Sequence, residues 1–254
     1  MKIRDIYLRR PFPAVSLIIA MLCIGITLIS FLIPSLLRSF AFVYPLKNPW
    51  QLITYLFEHY TPQEQIPPEL GYSSMRLSIG HLGYNLLLVL PFGIMVEKVI
   101  GAKRFLILSA AAWLADIATI YIVCSALIPE SEECVVKGAS GLAFAYVPVG
   151  LYIFFVLGKR FGFGKLFKQV SFYLLMPIAI TTLVIACSPS IAGTTDVWSM
   201  LLHLIGITCG VVFAVIFRKA IRSCLDSMDL KDNSILNFLN KMKKDRVTTF
   251  RKIG

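Results

Sequence analysis

The chain has 254 residues, of which 57% are hydrophobic and 15% are charged, and its formal net charge is +11. Soluble domains carry about 25% charged residues and rarely contain apolar runs longer than ~18 residues, so this composition excludes a soluble globular protein and indicates a polytopic membrane protein. The basic residues cluster between and beyond the apolar runs, which favours anionic lipid head groups rather than nucleic acid as their partner.

The apolar runs predict an all-α fold with six membrane-spanning helices, each near the ~20 residues that cross a bilayer core. The predicted spans are residues 12–34, 79–97, 104–128, 140–157, 170–188 and 198–217. We expect three regions: a cytoplasmic N-terminus (1–11), a six-helix domain (12–218) and a basic cytoplasmic tail (219–254). The first run is too long for the apolar region of a signal peptide, so it is interpreted as a retained helix.

A long extracytoplasmic loop, residues 35–78, separates the first two predicted spans. Its stretch NPWQLITYLFEHY is amphipathic and rich in aromatic residues, which predicts an interfacial helix at the lipid head groups. Within this stretch, Trp50 is interpreted as an interface anchor and His59 as a structural residue. The following TPQEQIPPELGY is rich in proline and predicts an exposed loop.

Lysine and arginine residues concentrate at alternate ends of the predicted helices, which sets the orientation of the chain in the membrane. The ends rich in basic residues include both termini of the chain. We therefore expect both termini in the cytoplasm, in a cell membrane of prokaryotic type. Anionic lipids are the expected partners of this basic cytoplasmic face.

Polar side chains on three predicted helices fall at a similar depth, in the extracytoplasmic half of the bilayer, when helix rise is counted at ~1.5 Å per residue. These residues are His81, Asn85, Ser140 and His203. Each would be costly to bury in lipid alone, but together they can bond one another and line a wet cavity. Small residues that permit close helix approach lie next to them: Gly138, Gly141, Gly206 and Gly210.

A serine and a neutral histidine at one depth suggest nucleophilic catalysis. In this hypothesis Ser140 is the nucleophile and His203 is the general base that takes its proton. His81, Asn85 and the Ser140 backbone N–H are the predicted donors to the oxyanion. No cofactor or metal is expected, because the sequence contains neither an HExxH motif nor a CxxC pair.

Four motifs in order resemble those of the rhomboid intramembrane serine proteases. PWQLITYLFEH resembles the first-loop signature of that family, and HLGYNLLLVLPFGIMVEKVIGAK resembles its second-helix pattern. GASG resembles the nucleophile turn, and HLIGITCG resembles the sixth-helix pattern. The resemblance spans residues 12–218.

The resemblance implies a Ser140–His203 dyad and gives the oxyanion roles to His81, Asn85 and the Ser140 amide. It implies that Glu97 is structural, that residues 170–188 are a lateral gate, and that single-span or polytopic membrane proteins are cleaved near the extracytoplasmic face. The chain departs from the family at Gln51, where arginine is usual, and this departure puts the anchoring of the first loop in doubt. Phe144 stands where a tyrosine often stacks on the histidine.

Several alternatives are weighed against this interpretation. An aspartyl protease needs two intramembrane acids, and Asp116 has no partner on another predicted helix, so a structural hydrogen bond is expected for it. A transporter is disfavoured because no internal repeat is visible. A non-catalytic rhomboid-like protein that binds membrane helices is the remaining alternative. An extracytoplasmic disulfide among Cys124, Cys134 and Cys187 is left open.

Overall fold

The computed structural model describes residues 12–66, 68, 71–129, 132–164, 180–181 and 197–226, with side chains of the last segment from residue 200. The helices are α1 (Ala14–Leu32), α2 (Leu37–Phe40), α3 (Gln51–Thr54), α4 (Ser74–Leu88), α5 (Ile94–Ile100), α6 (Ala102–Leu127), α7 (Ser140–Phe161), α8 (Val197–Ile216) and α9 (Arg218–Asp226). The strands are β1 (Phe42–Tyr44) and β2 (Cys134–Val136), and short 3₁₀ turns cover Pro34–Leu36, Tyr55–Phe57 and Gln63–Gln65.

Within these residues, four helical stretches are long and apolar enough to cross a membrane: α1, α4 with α5, α6 and α7. A fifth is reached if Met200–Ile216 and Arg218–Asp226, which are bent by 65°, are counted as one span. The protein is therefore a helical membrane protein. The predicted fifth span, residues 170–188, lies almost entirely outside the described residues, so the number six remains a prediction.

α4 and α5 are joined by a π-helical turn at Val89–Gly93, which contains Pro91. Proline lacks a backbone N–H and clashes with the preceding turn of a regular α-helix, and a wider π turn accommodates it. α4 begins one turn earlier than the sequence suggests, because the Ser73 hydroxyl accepts a hydrogen bond from the Arg76 N–H and caps the helix. The extra residues carry α4 beyond the predicted span toward the first loop.

Glu97 ties the end of this second span to the start of α1. Its carboxylate accepts hydrogen bonds from the backbone N–H groups of Val15 and Ser16 at 3.1 and 2.8 Å, and from the Ser16 hydroxyl at 2.7 Å. The first amides of a helix have no partner within it, and a negative charge there also meets the positive end of the helix dipole. The chain then reverses into α6 at Gly101, whose φ of +82° suits glycine.

α7 is the most buried of the spanning helices and forms the centre of the bundle. α8 packs along it, the second span and α6 also contact it, and α1 packs on the second span and α6. α7 begins at Ser140 and ends with Lys159 and Arg160 in its last turn. We call the two ends of the bundle the Ser140 end and the Glu97 end.

The first loop is folded into the protein at the Ser140 end and does not form the predicted interfacial helix. Only α3 and one 3₁₀ turn are helical in this stretch, and residues Tyr55 to Tyr60, which include that turn, are mostly buried. Trp113 of α6 donates a hydrogen bond of 2.6 Å to the Leu52 carbonyl and fastens the loop to the bundle. Trp50, in contrast, is half exposed, as an interface residue would be. The described part of the proline-rich stretch 61–72 is mostly exposed, apart from the buried Ile66.

Candidate active site

The turn that leads from β2 into α7, residues 137–140, is bonded to the first loop at successive positions. We call it the β2–α7 turn. β2 pairs antiparallel with β1, with Tyr44 opposite Cys134. Beyond the strand, the Gly138 N–H donates to the Tyr55 carbonyl at 2.8 Å, and the Ala139 N–H donates to His59 Nε2 at 3.3 Å. The position of Ser140 at the start of α7 is thus fixed by a loop 80 residues earlier in the chain.

Gly138 must be glycine for two reasons. Its φ of +116° lies in a region that side chains strongly disfavour. A Cβ atom at this position would also lie 2.9 Å from Nε2 of His81 and 3.0 Å from its Cε1. The absence of a side chain therefore lets the His81 ring approach the backbone of the β2–α7 turn.

The His59 ring supports the β2–α7 turn through a hydrogen bond to its backbone. Its Nε2 accepts from Ala139, so the other ring nitrogen, Nδ1, carries the proton and donates to the Phe57 carbonyl at 3.1 Å. Burial, reinforced by the neighbouring His81 and Lys137, lowers the pKa of His59 well below its ordinary value and keeps the ring neutral. The His59 and His81 rings meet edge to face, with centroids 4.9 Å apart.

α8 crosses the start of α7 at very short distance. A Cβ atom on Gly206 would lie 2.4 Å from the Gly141 carbonyl oxygen, and one on Gly210 would lie 2.2 Å from the Ala145 carbonyl oxygen. Both glycines are buried. The two small residues of α8 thus face the small residues of α7, and the backbones touch.

His203 lies one turn before Gly206 on α8 and therefore points toward the same crossing. The Phe144 ring of α7 stacks on the His203 ring, with centroids 4.1 Å apart and an angle of 17° between the planes. His203 also lies close enough to His81 for the two rings to interact electrostatically. The side chains of Ser140 and His203 are both partly exposed. All three histidines of the chain thus gather around the first turn of α7.

Asn85 lies one turn after His81 on α4 and is buried. Its Nδ2 donates to the His81 carbonyl at 3.0 Å, while its Oδ1 has no hydrogen-bond partner within the described residues. The amide nitrogen carries two hydrogens, and the bond to His81 uses one of them. A second N–H donor therefore remains on this side chain. The oxyanion role given to Asn85 by sequence stays a prediction.

Asp116 of α6 lies directly against Gly141, the second residue of α7, and the sequence did not predict this contact. A Cβ atom on Gly141 would lie 1.6 Å from Asp116 Oδ2. Asp116 Oδ1 has no hydrogen-bond partner among the described residues, so the structural hydrogen bond expected for Asp116 is not made by that oxygen. The buried Tyr55 hydroxyl, which also has no partner there, lies close enough to interact electrostatically with Asp116. Burial, together with Asp116, raises the pKa of Tyr55.

Two ionisable side chains that sequence reasoning also missed lie close to each other here: Lys137, at the start of the β2–α7 turn, and Glu58 of the first loop. The Lys137 ammonium donates to the Tyr60 carbonyl at 2.5 Å and approaches Gln65 Oε1 at 3.4 Å. Burial lowers the pKa of Lys137 to about 8, although the nearby Glu58 opposes this shift. The Glu58 carboxylate accepts hydrogen bonds from the Ser30 hydroxyl and the Tyr60 N–H. Burial nevertheless raises the pKa of Glu58. The partners of Lys137 and Glu58 lie far away in sequence, so no local sequence pattern predicts these contacts.

Gln51 anchors the first loop, although arginine is usual at this position in the family that the motifs resemble. Its side chain is fully buried. Nε2 donates to the Arg38 carbonyl at 2.6 Å, and Oε1 accepts from the Asn48 and Lys47 N–H groups at 3.1 and 3.3 Å. The neutral side-chain amide of Gln51 therefore links Arg38, before β1, to Lys47 and Asn48, after it.

Comparison with known proteins identifies the family. No curated protein sequence matches the chain significantly. A sequence model of the family described as the rhomboid domain matches residues 70–220, which is more than half of the chain. The matched region includes His81, Asn85, Ser140 and His203, and the first loop up to residue 69 precedes it. This chain belongs to the rhomboid family.

Proposed function

We propose that the protein is an intramembrane serine endopeptidase that cleaves membrane-protein substrates near the Ser140 end of the bundle. The observation that carries the proposal is the crossing of α7 and α8. There, the Gly206 contact and the Phe144 stack bring the helix that bears His203 against the helix that begins at Ser140. Membership of the rhomboid family supports the same chemistry.

In the proposed reaction the Ser140 hydroxyl attacks the scissile carbonyl, and His203 takes its proton. This step requires a neutral imidazole. Phe144, which is stacked on the ring, limits the orientations that His203 can adopt. His203 then gives the proton to the leaving amine, and an acyl group remains on Ser140. A water molecule, deprotonated by His203, hydrolyses this ester and restores the free hydroxyl.

The oxyanion of the tetrahedral intermediate would be stabilised by three groups: the Ser140 N–H, the second Nδ2 hydrogen of Asn85, and His81. The Ser140 amide is a candidate because it lies at the N-terminus of α7, where backbone N–H groups lack partners within the helix and the dipole is positive. His81 is held against Gly138, two residues before the nucleophile. These roles follow from position and donor chemistry.

We further infer a six-span bundle with both termini in the cytoplasm, with residues 170–188 as the span where a substrate helix enters. The described helices support this orientation, because basic residues are concentrated at the Glu97 end. These residues are Lys98, Lys103, Arg104, Lys159, Arg160, Arg218, Lys219 and Arg222. On α9 the apolar Ile221 and Leu225 are fully buried, so its basic face is available to anionic lipid head groups. Reporter fusions after residue 163 and at the C-terminus would test the orientation.

The enzymatic proposal is tested with the purified full chain and a single-span substrate in liposomes. Ser140→Ala and His203→Ala should each abolish cleavage, and a fluorophosphonate probe should label the wild type but not Ser140→Ala. Ser125→Ala, which changes an exposed serine at the end of α6, is the matched control and should cleave and label normally. Cleavage that persists in Ser140→Ala would overturn the nucleophile assignment.

The non-catalytic alternative makes the opposite prediction. A rhomboid-like protein that only binds membrane helices would retain a single-span partner in detergent without cutting it, and its binding would be unaffected by Ser140→Ala. Measuring substrate capture and cleavage on the same samples distinguishes the two functions. Capture without cleavage in the wild type would favour the alternative.

A further inference from the structure

Two cysteine thiols meet at the Ser140 end of the bundle. Cys124 lies in the last turn of α6, and Cys134 is the first residue of β2. The two side chains lie close enough to interact with each other, and residues 125–133 separate them in sequence. Both thiols are unoxidised in the structure. The contact brings the end of one spanning helix to the strand that leads into the β2–α7 turn.

The two thiols line the same cavity but differ in their exposure to solvent. Both line one apolar cavity, together with Val123 and Ile128 of α6 and its C-terminal loop, Val136 of β2 and Leu202 of α8. Cys124 is 3% exposed, whereas Cys134 is partly exposed. An attacking reagent therefore reaches Cys134 first, and Cys124 is placed to act second.

We propose that Cys124 and Cys134 are a modification site: an intramolecular disulfide that fastens the entry of the β2–α7 turn to α6. This inference does not depend on protease activity, but it relies on the orientation that places the Ser140 end outside the cytoplasm, where thiols are oxidised. The fold supports the fastening role, because Cys134 pairs with Tyr44 of β1 and β2 runs directly into Lys137.

The oxidant is a compound that itself contains a disulfide, such as glutathione disulfide or an oxidised thiol-exchange protein. The Cys134 thiolate attacks one sulfur of that disulfide, and the other sulfur leaves as a thiolate. The Cys124 thiolate then attacks the Cys134 sulfur of the mixed disulfide and releases the second thiolate. The cysteine pair loses two electrons and two protons, and the oxidant's disulfide is reduced to two thiols.

The first experiment detects the bond. The purified full chain is incubated with glutathione disulfide, free thiols are then alkylated, and the intact mass and peptide map are measured. We expect the wild type to lose alkylation at both positions and to yield a peptide that links Cys124 to Cys134. Cys209→Ser, a control on α8, should form the same link, while Cys124→Ser and Cys134→Ser should not. Continued alkylation at both positions, or a link to a different cysteine, would overturn the proposal.

The second experiment tests fastening. Closing this loop reduces the conformational freedom of the unfolded chain, so the oxidised wild type should unfold about 5–10 °C above the reduced protein. The same treatment should leave the unfolding temperature of Cys134→Ser unchanged. If the disulfide forms and the unfolding temperature does not rise, the pair is an oxidation site without the proposed fastening role, and that part of the inference is wrong.

Discussion

The close crossing of α7 and α8 makes Gly206 the most informative position to perturb. In Gly206→Ala the new Cβ atom would lie 2.4 Å from the Gly141 carbonyl oxygen, whereas ordinary contact begins at 3.4 Å. The obstacle is backbone of a buried helix, so it cannot rotate away. α8 must therefore move from α7 by about 1 Å at this point.

The displaced segment carries His203, which is one turn away on the same face of α8. A displacement of about 1 Å between a catalytic group and its target can cost about 10²-fold in rate. That loss corresponds to about 2.7 kcal/mol in the activation free energy. Because the substitution keeps both Ser140 and His203 and changes only the distance between them, we expect the loss mainly in kcat.

The assay is the initial rate of cleavage of a single-span substrate in liposomes, with kcat and KM determined separately. It is run at a temperature where the thermal melt shows each variant to be folded. Gly25→Ala is the matched control, because a Cβ there would meet nothing within 4 Å, and it should retain wild-type rates. Wild-type kcat in Gly206→Ala would refute the claim that this contact sets the distance between the two helices.

Three further predictions follow from contacts around the turn. Gly141→Ala should lower the free energy of unfolding by about 1–3 kcal/mol through collision with Asp116, and its cost should largely disappear in an Asp116→Ala background; equal costs in both backgrounds would contradict the reasoning. Phe144→Ala should lower kcat about 2–10-fold by removing the ring stacked on His203, while Phe144→Tyr should retain activity; equal kcat in all three proteins would rule out a role for the ring. The pKa of His59 lies well below 6.5 in the folded protein, so below pH 6.5 the unfolded chain binds a proton that the folded protein does not. The free energy of unfolding should therefore fall by up to about 1.4 kcal/mol per pH unit as the pH is lowered. Thermal melts at pH 7.5 and 5.5 should show this loss, and His59→Gln should reduce it.

The features that depend on composition and short-range pattern could be predicted from the sequence. Continuous apolar runs predicted the spans, and the structure begins α1 at Ala14 and α6 at Ala102, each within two residues of the prediction. The close approach at Gly206 was expected from the spacing of small residues, and the stack of Phe144 on a histidine from the resemblance to the rhomboid family. These properties are encoded within a few turns of one or two helices.

The features that depend on contacts between distant segments could not be predicted. The aromatic first loop has the pattern of a surface helix, but its Tyr55 carbonyl and its His59 ring accept hydrogen bonds from Gly138 and Ala139 of the β2–α7 turn. The three-residue strands are too short to give an alternating pattern. No partner for Asp116 was predicted, because the residue it contacts is Gly141, and a glycine has no side chain by which a sequence pattern could indicate the contact.

The carboxylate of Glu97 that caps α1 has a consequence for biosynthesis. The capped amides at Val15 and Ser16 are made more than 80 residues before their partner. At about 5–20 residues per second, a ribosome needs about 4–16 s to supply Glu97 after these amides. During that interval α1 has emerged without its cap, and its first amides must be hydrated. Completion of the second span supplies the carboxylate that replaces this hydration and ties the start of α1 to Glu97.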